Sequence, residues 1–207
     1  MQQVILAHGL WVPGVVMQPL AARLERAGYR CHGFAYMGRA RPLAAHAERL
    51  ARLARSVGPA HFVGHSLGGL VMLEALDADR SLAAGRVVLL GTPARGCLSG
   101  RRLQRHALGR WLLGKSDRLW REEREARWTR PEPLGVVAGT VALGLGRLFG
   151  RLPGANDGVV TVEETTVTGM SERVALPVGH SQMLVSSRVA DLVRGFLRDG
   201  RFAPHDR

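Results

Sequence analysis

Short apolar, β-branched runs alternate along the chain with longer stretches whose apolar positions recur at helical spacing. The runs "QVILAH" (3–8), "RCHGFAY" (30–36), "AHFVGH" (60–65), "RVVLLGT" (86–92), "LGVVAGT" (134–140) and "ERVALPV" (172–178) read as strands. Several are apolar at nearly every position, as strands covered on both faces require. Helical patterns lie between them at about 16–27, 42–57, 67–79 and 184–198. In the last of these, Leu184, Val185, Val189, Leu192, Val193, Phe196 and Leu197 share one face, which predicts a helix lying against the sheet. The alternation predicts an α/β fold, a mostly parallel sheet of about six strands with helices on both faces. At 207 residues, one domain with a sizeable core is expected.

Two segments break the alternation. Residues 97–130 read as one or two basic helices carrying Trp111, Trp120 and Trp128, and residues 141–158 as a glycine-rich loop leading to "NDG". Long excursions from a compact sheet are places where function concentrates.

Charge changes the picture only locally. The chain carries a net charge of +12, and its basic residues are all arginine except Lys115, which reads as a coding bias rather than a phosphate-binding design. Residues 95–130 hold eleven basic and four acidic residues, a surface that attracts anions, acidic lipid headgroups or nucleic acid at low salt. No nucleic-acid-binding motif and no P-loop is present, so no specific nucleic-acid partner is expected. Cys31 and Cys97 lack metal-ligand spacing and are expected as free, mostly buried thiols, with no metal and no cofactor. The start "MQQVILAHG" lacks the basic and apolar regions of a signal peptide, and glycines and Arg147 interrupt the longest apolar stretch. A cytoplasmic location is the expectation.

The chemistry-bearing stretch is "HFVGHSLGGLVMLEAL", residues 61–76. A strand running into Gly-His-Ser-Leu-Gly and then a helix is the arrangement of a nucleophile elbow, with Ser66 at the strained turn. Glycines at 64 and 68 remove Cβ atoms that would collide there. The N-terminus of the helix favours developing negative charge.

A serine hydroxyl needs a base, and the base needs a carboxylate to orient it. Of eight histidines, His65 adjoins the serine but its side chain points to the opposite strand face. His8, in "AHG", suits a turn or oxyanion role. His32 and His61 lie in or beside strands, His46 and His106 in helical patterns, and His205 in the tail. His180, in "LPVGHSQML", follows the last strand and is the candidate base. Asp157 in "GANDGVV" is the candidate carboxylate, with Glu163 and Glu164 as nearby alternatives. Asp77 and Asp79 read as solvated, and Asp117 and Glu122–Glu125 as offsetting arginines. Leu67 N–H, just after the serine, and Leu10 N–H, in "AHGLW", are the candidate oxyanion donors. Trp11 is next in line, and Trp11 and His65 are candidates for lining the substrate pocket.

Together, "AHG" after the first strand, "GHSLGG", "NDG" and "GHS" resemble the α/β-hydrolase superfamily, in the order Ser66, Asp157, His180 that its members use. Within it the chain is similar to small bacterial serine esterases and lipases, over Val4 to about Leu197. The resemblance implies a sheet lacking the first two strands of larger members. It also implies cofactor-free hydrolysis of a small-molecule carboxylic ester through a Ser-His-Asp triad and an acyl-enzyme. A thioesterase or acyltransferase on the same triad is the alternative, and an inactive scaffold that binds anions or nucleic acid a weaker one. Segment 97–130 departs from the family pattern. It reads as a lid over an acyl pocket, as a contact with an anionic membrane surface, or as a peripheral helical insertion with a solvated basic face.

Overall fold

The computed structural model describes residues 1–120, 125–143 and 151–202. The expectations for the carboxylates of Asp117, Glu122 and Glu123, for His205 and for residues 144–150 of the glycine-rich loop fall outside what it describes.

Six strands form: β1 (Gln3–Ala7), β2 (Arg30–Phe34), β3 (Ala60–His65), β4 (Ala84–Leu90), β5 (Leu134–Gly139) and β6 (Glu172–Leu176). They make one sheet in the order β2-β1-β3-β4-β5-β6, with every neighbouring pair parallel. Parallel pairing needs a crossover after each strand, and helices supply most of them. These are α1 (Gln18–Arg26), α2 (Leu43–Val57) and α3 (Leu67–Ala78), followed by α4 (Leu98–Gln104) and α5 (Ala107–Leu113), with α6 (Ser187–Asp199) closing the chain.

The strand alternation divides the core in two. Ile5, Ala7, Phe62, Val87, Leu89 and Val136 face α2 and α3, while Val4, Leu6, Val63, Val88, Leu90 and Val137 face α1 and α6. Burial on both faces explains why these strands are apolar at consecutive positions. The basic excursion forms α4, α5 and a 3-10 turn over Gly114–Trp120. The last helix starts later than its pattern predicts, because the Ser186 hydroxyl accepts from Val189 N–H (3.3 Å) and caps it there. Val185 therefore precedes the helix and is 55% exposed, whereas Leu184, Val189, Leu192, Val193, Phe196 and Leu197 are buried.

Strand order positions the site. From β1 the chain moves outward to β2, then returns to place β3 on the other side of β1. Such a reversal leaves the loops after β1 and β3 diverging at the carboxyl edge, where open α/β sheets bind ligands. Leu10 and Ser66 lie on those two loops.

Candidate active site

Ser66 sits between β3 and α3 at φ 53° and ψ −123°, a conformation that costs a non-glycine residue on the order of 1–3 kcal/mol. It is pinned there by its own N–H donating to Leu90 O (2.9 Å) and by Gly69 N–H donating to its carbonyl (3.1 Å). The glycines allow the close packing this demands. A Cβ on Gly64 would come within 2.6 Å of the Gly69 Cα, and one on Gly68 would overlap the Ala7 carbonyl.

His180 follows β6, and it and Ser66 line the same cavity. Its Nδ1 lies 2.7 Å from Asp157 Oδ2. A carboxylate oxygen only accepts, so Nδ1 carries the hydrogen, and in the neutral ring Nε2 is left with its lone pair. Asp157 is 1% exposed. Its other oxygen accepts from Val159 N–H (2.9 Å) and Val160 N–H (2.7 Å), so three N–H groups orient one carboxylate. The two residues are also joined through the main chain, His180 N–H donating to Asp157 O at 2.9 Å. Gly91, at the end of β4, lies beneath the pair, where a Cβ would come within 3.0 Å of Asp157 Oδ2 and 3.1 Å of His180 Nδ1.

His65 lies against His180. Its ring is 4.7 Å from the His180 ring, and its Nε2–H donates to the His180 carbonyl at 3.1 Å. Complete burial, with the neighbouring His180 adding to it, lowers its pKa to about 3, so it stays neutral. His8 holds the loop after β1. Its Nδ1–H donates to Gly9 O (2.8 Å), its Nε2 accepts from Tyr36 N–H (3.4 Å), and Tyr36 OH donates to the His8 carbonyl (2.8 Å). The Leu10 and Leu67 side chains meet over Gly38, where a Cβ would approach them to 3.0 and 2.8 Å. Their N–H groups donate to no partner among the described residues.

The cavity has a volume of about 370 Å³. Trp11 and His65 both line it, and none of its lining residues is charged, in a chain with 29 basic side chains. Much of its wall comes from the basic excursion, through Cys97, Leu103, Leu113 and Trp120. The sequence offers this segment as a cover for an acyl pocket, but it singles out none of these four side chains as lining it. The cue was there in the helically spaced apolar positions of 97–120, but nothing local says that their apolar face turns toward the serine. Cys97 is buried, and burial pushes its thiol up to about 12, so it acts as an apolar wall.

The remaining candidates lie elsewhere. Glu164 accepts from Leu98 N–H (2.5 Å) and Thr161 N–H (2.8 Å), tying α4 to the Asp157 loop, and Glu163 pairs with Arg95. Asp77 pairs with Arg80 (2.6 Å), Asp79 with Arg55, and Glu125 with Arg127 (3.2 Å). His61 accepts from Arg86 N–H (2.9 Å), and His32 is bonded to Gln3 (2.6 Å). His46 is buried edge-on to Tyr36, while His106 is exposed before α5. Of the three tryptophans of the excursion, only Trp111 is exposed. Trp120 and Trp128 are core residues, since each indole N–H finds an internal acceptor, Ser116 Oγ (3.1 Å) and Glu132 O (2.6 Å).

Residues 4–194 match the family model described as the alpha/beta hydrolase family. No curated protein matches the chain. Among solved structures, the lipase BlEst2 of Bacillus licheniformis in its mature form superposes with a TM-score of 0.74 at 17% identity, over 97% of this chain and 92% of that one. Its propeptide form gives 0.78 at 16% over the whole of this chain, which spans about half (52%) of that longer one. A thermophilic esterase from Thermogutta terrifontis gives 0.67 at 15%, over 97% and 91%. At these identities the likeness establishes the fold.

Proposed function

The chain belongs to the α/β-hydrolase family, and from that premise we propose that it is a serine hydrolase that cleaves carboxylic esters. The observation that carries this reading is the 2.7 Å imidazole–carboxylate bond of His180 and Asp157, facing the same cavity as a serine in strained geometry. The esterase and lipase names of the structural neighbours agree with it.

In the first step, His180 Nε2 takes the Ser66 proton as Oγ attacks the ester carbonyl carbon. Asp157 stabilises the imidazolium that forms. The tetrahedral oxyanion lies toward Leu10 and Leu67 N–H, and losing one such donor costs about 3–4 kcal/mol in barrier. The intermediate collapses, the C–O bond to the alcohol breaks, and the imidazolium returns its proton to the alkoxide. Water, deprotonated by the same Nε2, then attacks the acyl-enzyme and releases the acid and Ser66. His65 cannot compete for these protons, because burial keeps it neutral.

The acyl group meets an uncharged wall of leucine, valine and tryptophan side chains. A volume near 370 Å³ is at the small end of ligand pockets, about 300–1,000 Å³, which favours short to medium acyl chains. Cys97, Leu103, Leu113 and Trp120 of the excursion supply much of that wall. A p-nitrophenyl ester panel from acetate to palmitate tests the reading. Turnover is expected to peak on short to medium chains and to vanish in Ser66→Ala; equal turnover by that variant overturns it.

A further inference from the structure

A set of exposed apolar side chains lies on three neighbouring segments, one of which reaches the cavity through Trp11. Trp11, on the loop after β1, lines the cavity and is 50% exposed; Met37, after β2, is 74% exposed. On α5, Leu108 and Trp111 are 67% and 64% exposed, and their i,i+3 spacing puts them on one face. The opposite side of α5 buries Leu113 against the core.

The segments are bonded into one surface. Trp11 Nε1–H donates to Leu112 O (2.8 Å), Arg39 Nη2–H donates to Trp111 O (2.7 Å), and Lys115 N–H donates to Arg39 O (2.9 Å). The Arg39 guanidinium lies 4.6 Å over the Trp111 ring. Cations flank the apolar residues: Arg105, Arg110 and Lys115 are exposed, and residues 97–116 contain five basic residues and no acidic one.

We infer that this face docks on an anionic phospholipid bilayer, with Leu108, Trp111, Met37 and Trp11 entering the headgroup region and the arginines meeting lipid phosphates. Exposed indoles beside cations suit that boundary, where one end of the residue is apolar and the other wet. Charge complementarity singles out anionic lipid, and Trp11, which also lines the cavity, ties the face to it. Trp120 and Trp128 take no part, because both are buried. This rests on the ester-hydrolase reading for its purpose but not for its measurement.

The test uses Ser66→Ala protein and vesicle flotation, so that lipid is bound but not cleaved. Vesicles of phosphatidylcholine with phosphatidylglycerol are expected to carry the protein up the gradient, pure phosphatidylcholine vesicles are not, and raised salt should release it. Adding Leu108→Ser and Trp111→Ser should weaken binding about tenfold or more. In the wild-type background the same pair should leave hydrolysis of a soluble short-chain ester unchanged. No flotation, equal flotation on both vesicle types, or undiminished binding by the Leu108/Trp111 variant overturns the inference. The last result, with duplex DNA bound equally by parent and variant, would mark the face as a general polyanion site. A dimer that dissociates on the same two substitutions, with no flotation, would assign it to a second copy of the chain. Ester hydrolysis without flotation sinks the docking face alone; flotation without any ester hydrolysis sinks the enzymatic reading alone.

Discussion

The elbow at Ser66 and the α4–α5 wall opposite it line one cavity, yet they are held in different ways. At the elbow, added Cβ atoms would strike main chain: the Gly69 Cα from Gly64, the Ala7 carbonyl from Gly68. The wall is tight only toward the core, where Trp120 covers Gly100 at 3.1 Å from a Cβ built there, and outward it leaves Leu108 and Trp111 in solvent. Main-chain contacts fix a geometry that chemistry cannot vary. Side-chain contacts fix a shape that can be exchanged for another, so on the proposed reading the wall is what sets substrate preference.

The largest effects should come from the rigid side. Asp157→Asn is expected to lower kcat about 10³–10⁴-fold with little change in KM, because the imidazole loses its orienting acceptor. Glu163→Gln should stay close to wild type, since Glu163 pairs with Arg95 instead. Steady-state kinetics on one ester would reverse the assignment if the two variants changed places.

On the wall, Trp120→Ala removes a side chain that is 5% exposed and should cost about 3–5 kcal/mol in denaturant unfolding. It should also move the preferred ester toward longer acyl chains. An unchanged chain-length profile would show that Trp120 does not bound the pocket. Gly68→Ala should cost about 1–3 kcal/mol or more and depress kcat on every ester alike. A selective loss on long chains would mean that the elbow, too, shapes preference.

A further effect appears only in acid. His65 has its folded pKa lowered from 6.5 to about 3 by burial. Between those values the unfolded chain takes up a proton that the native chain does not, so stability is full above pH 6.5 and falls as pH drops toward 3. The slope from this one group is about 1.4 kcal/mol per pH unit. Burial lowers His8, His46 and His61 in the same direction. His65→Gln keeps an N–H for the His180 carbonyl and should flatten the pH dependence of unfolding by about one proton. An identical slope in the variant would remove His65 from the acid response.

What could be read from the sequence followed the same division. All six strands and the β3–α3 turn were visible because burial on both faces writes continuous apolar runs, and the elbow writes glycines at fixed offsets. Strand order was not visible, because pairing depends on crossover paths rather than on any single run. The partnership of Asp157 with His180 followed from their places after β5 and β6. The fixing of that carboxylate by Val159 and Val160 N–H did not, since main-chain donors leave no residue signature. The excursion was legible as basic and helical, and a cover over an acyl pocket was one of three readings that the sequence left open. Its attachment runs through Ser99 Oγ to Val159 O (2.8 Å) and through Glu164 to Leu98 N–H, contacts about sixty residues apart. The three tryptophans looked alike in sequence, and only the position of an indole acceptor separated the two core residues from the exposed one.

Covalent labelling tests the central claim most directly. A fluorophosphonate incubated with the wild-type protein, followed by peptide mass mapping, should place one adduct on Ser66, formed much more slowly in His180→Ala and absent in Ser66→Ala. An unlabelled wild type, or a Ser66→Ala protein labelled to the same extent, would contradict it.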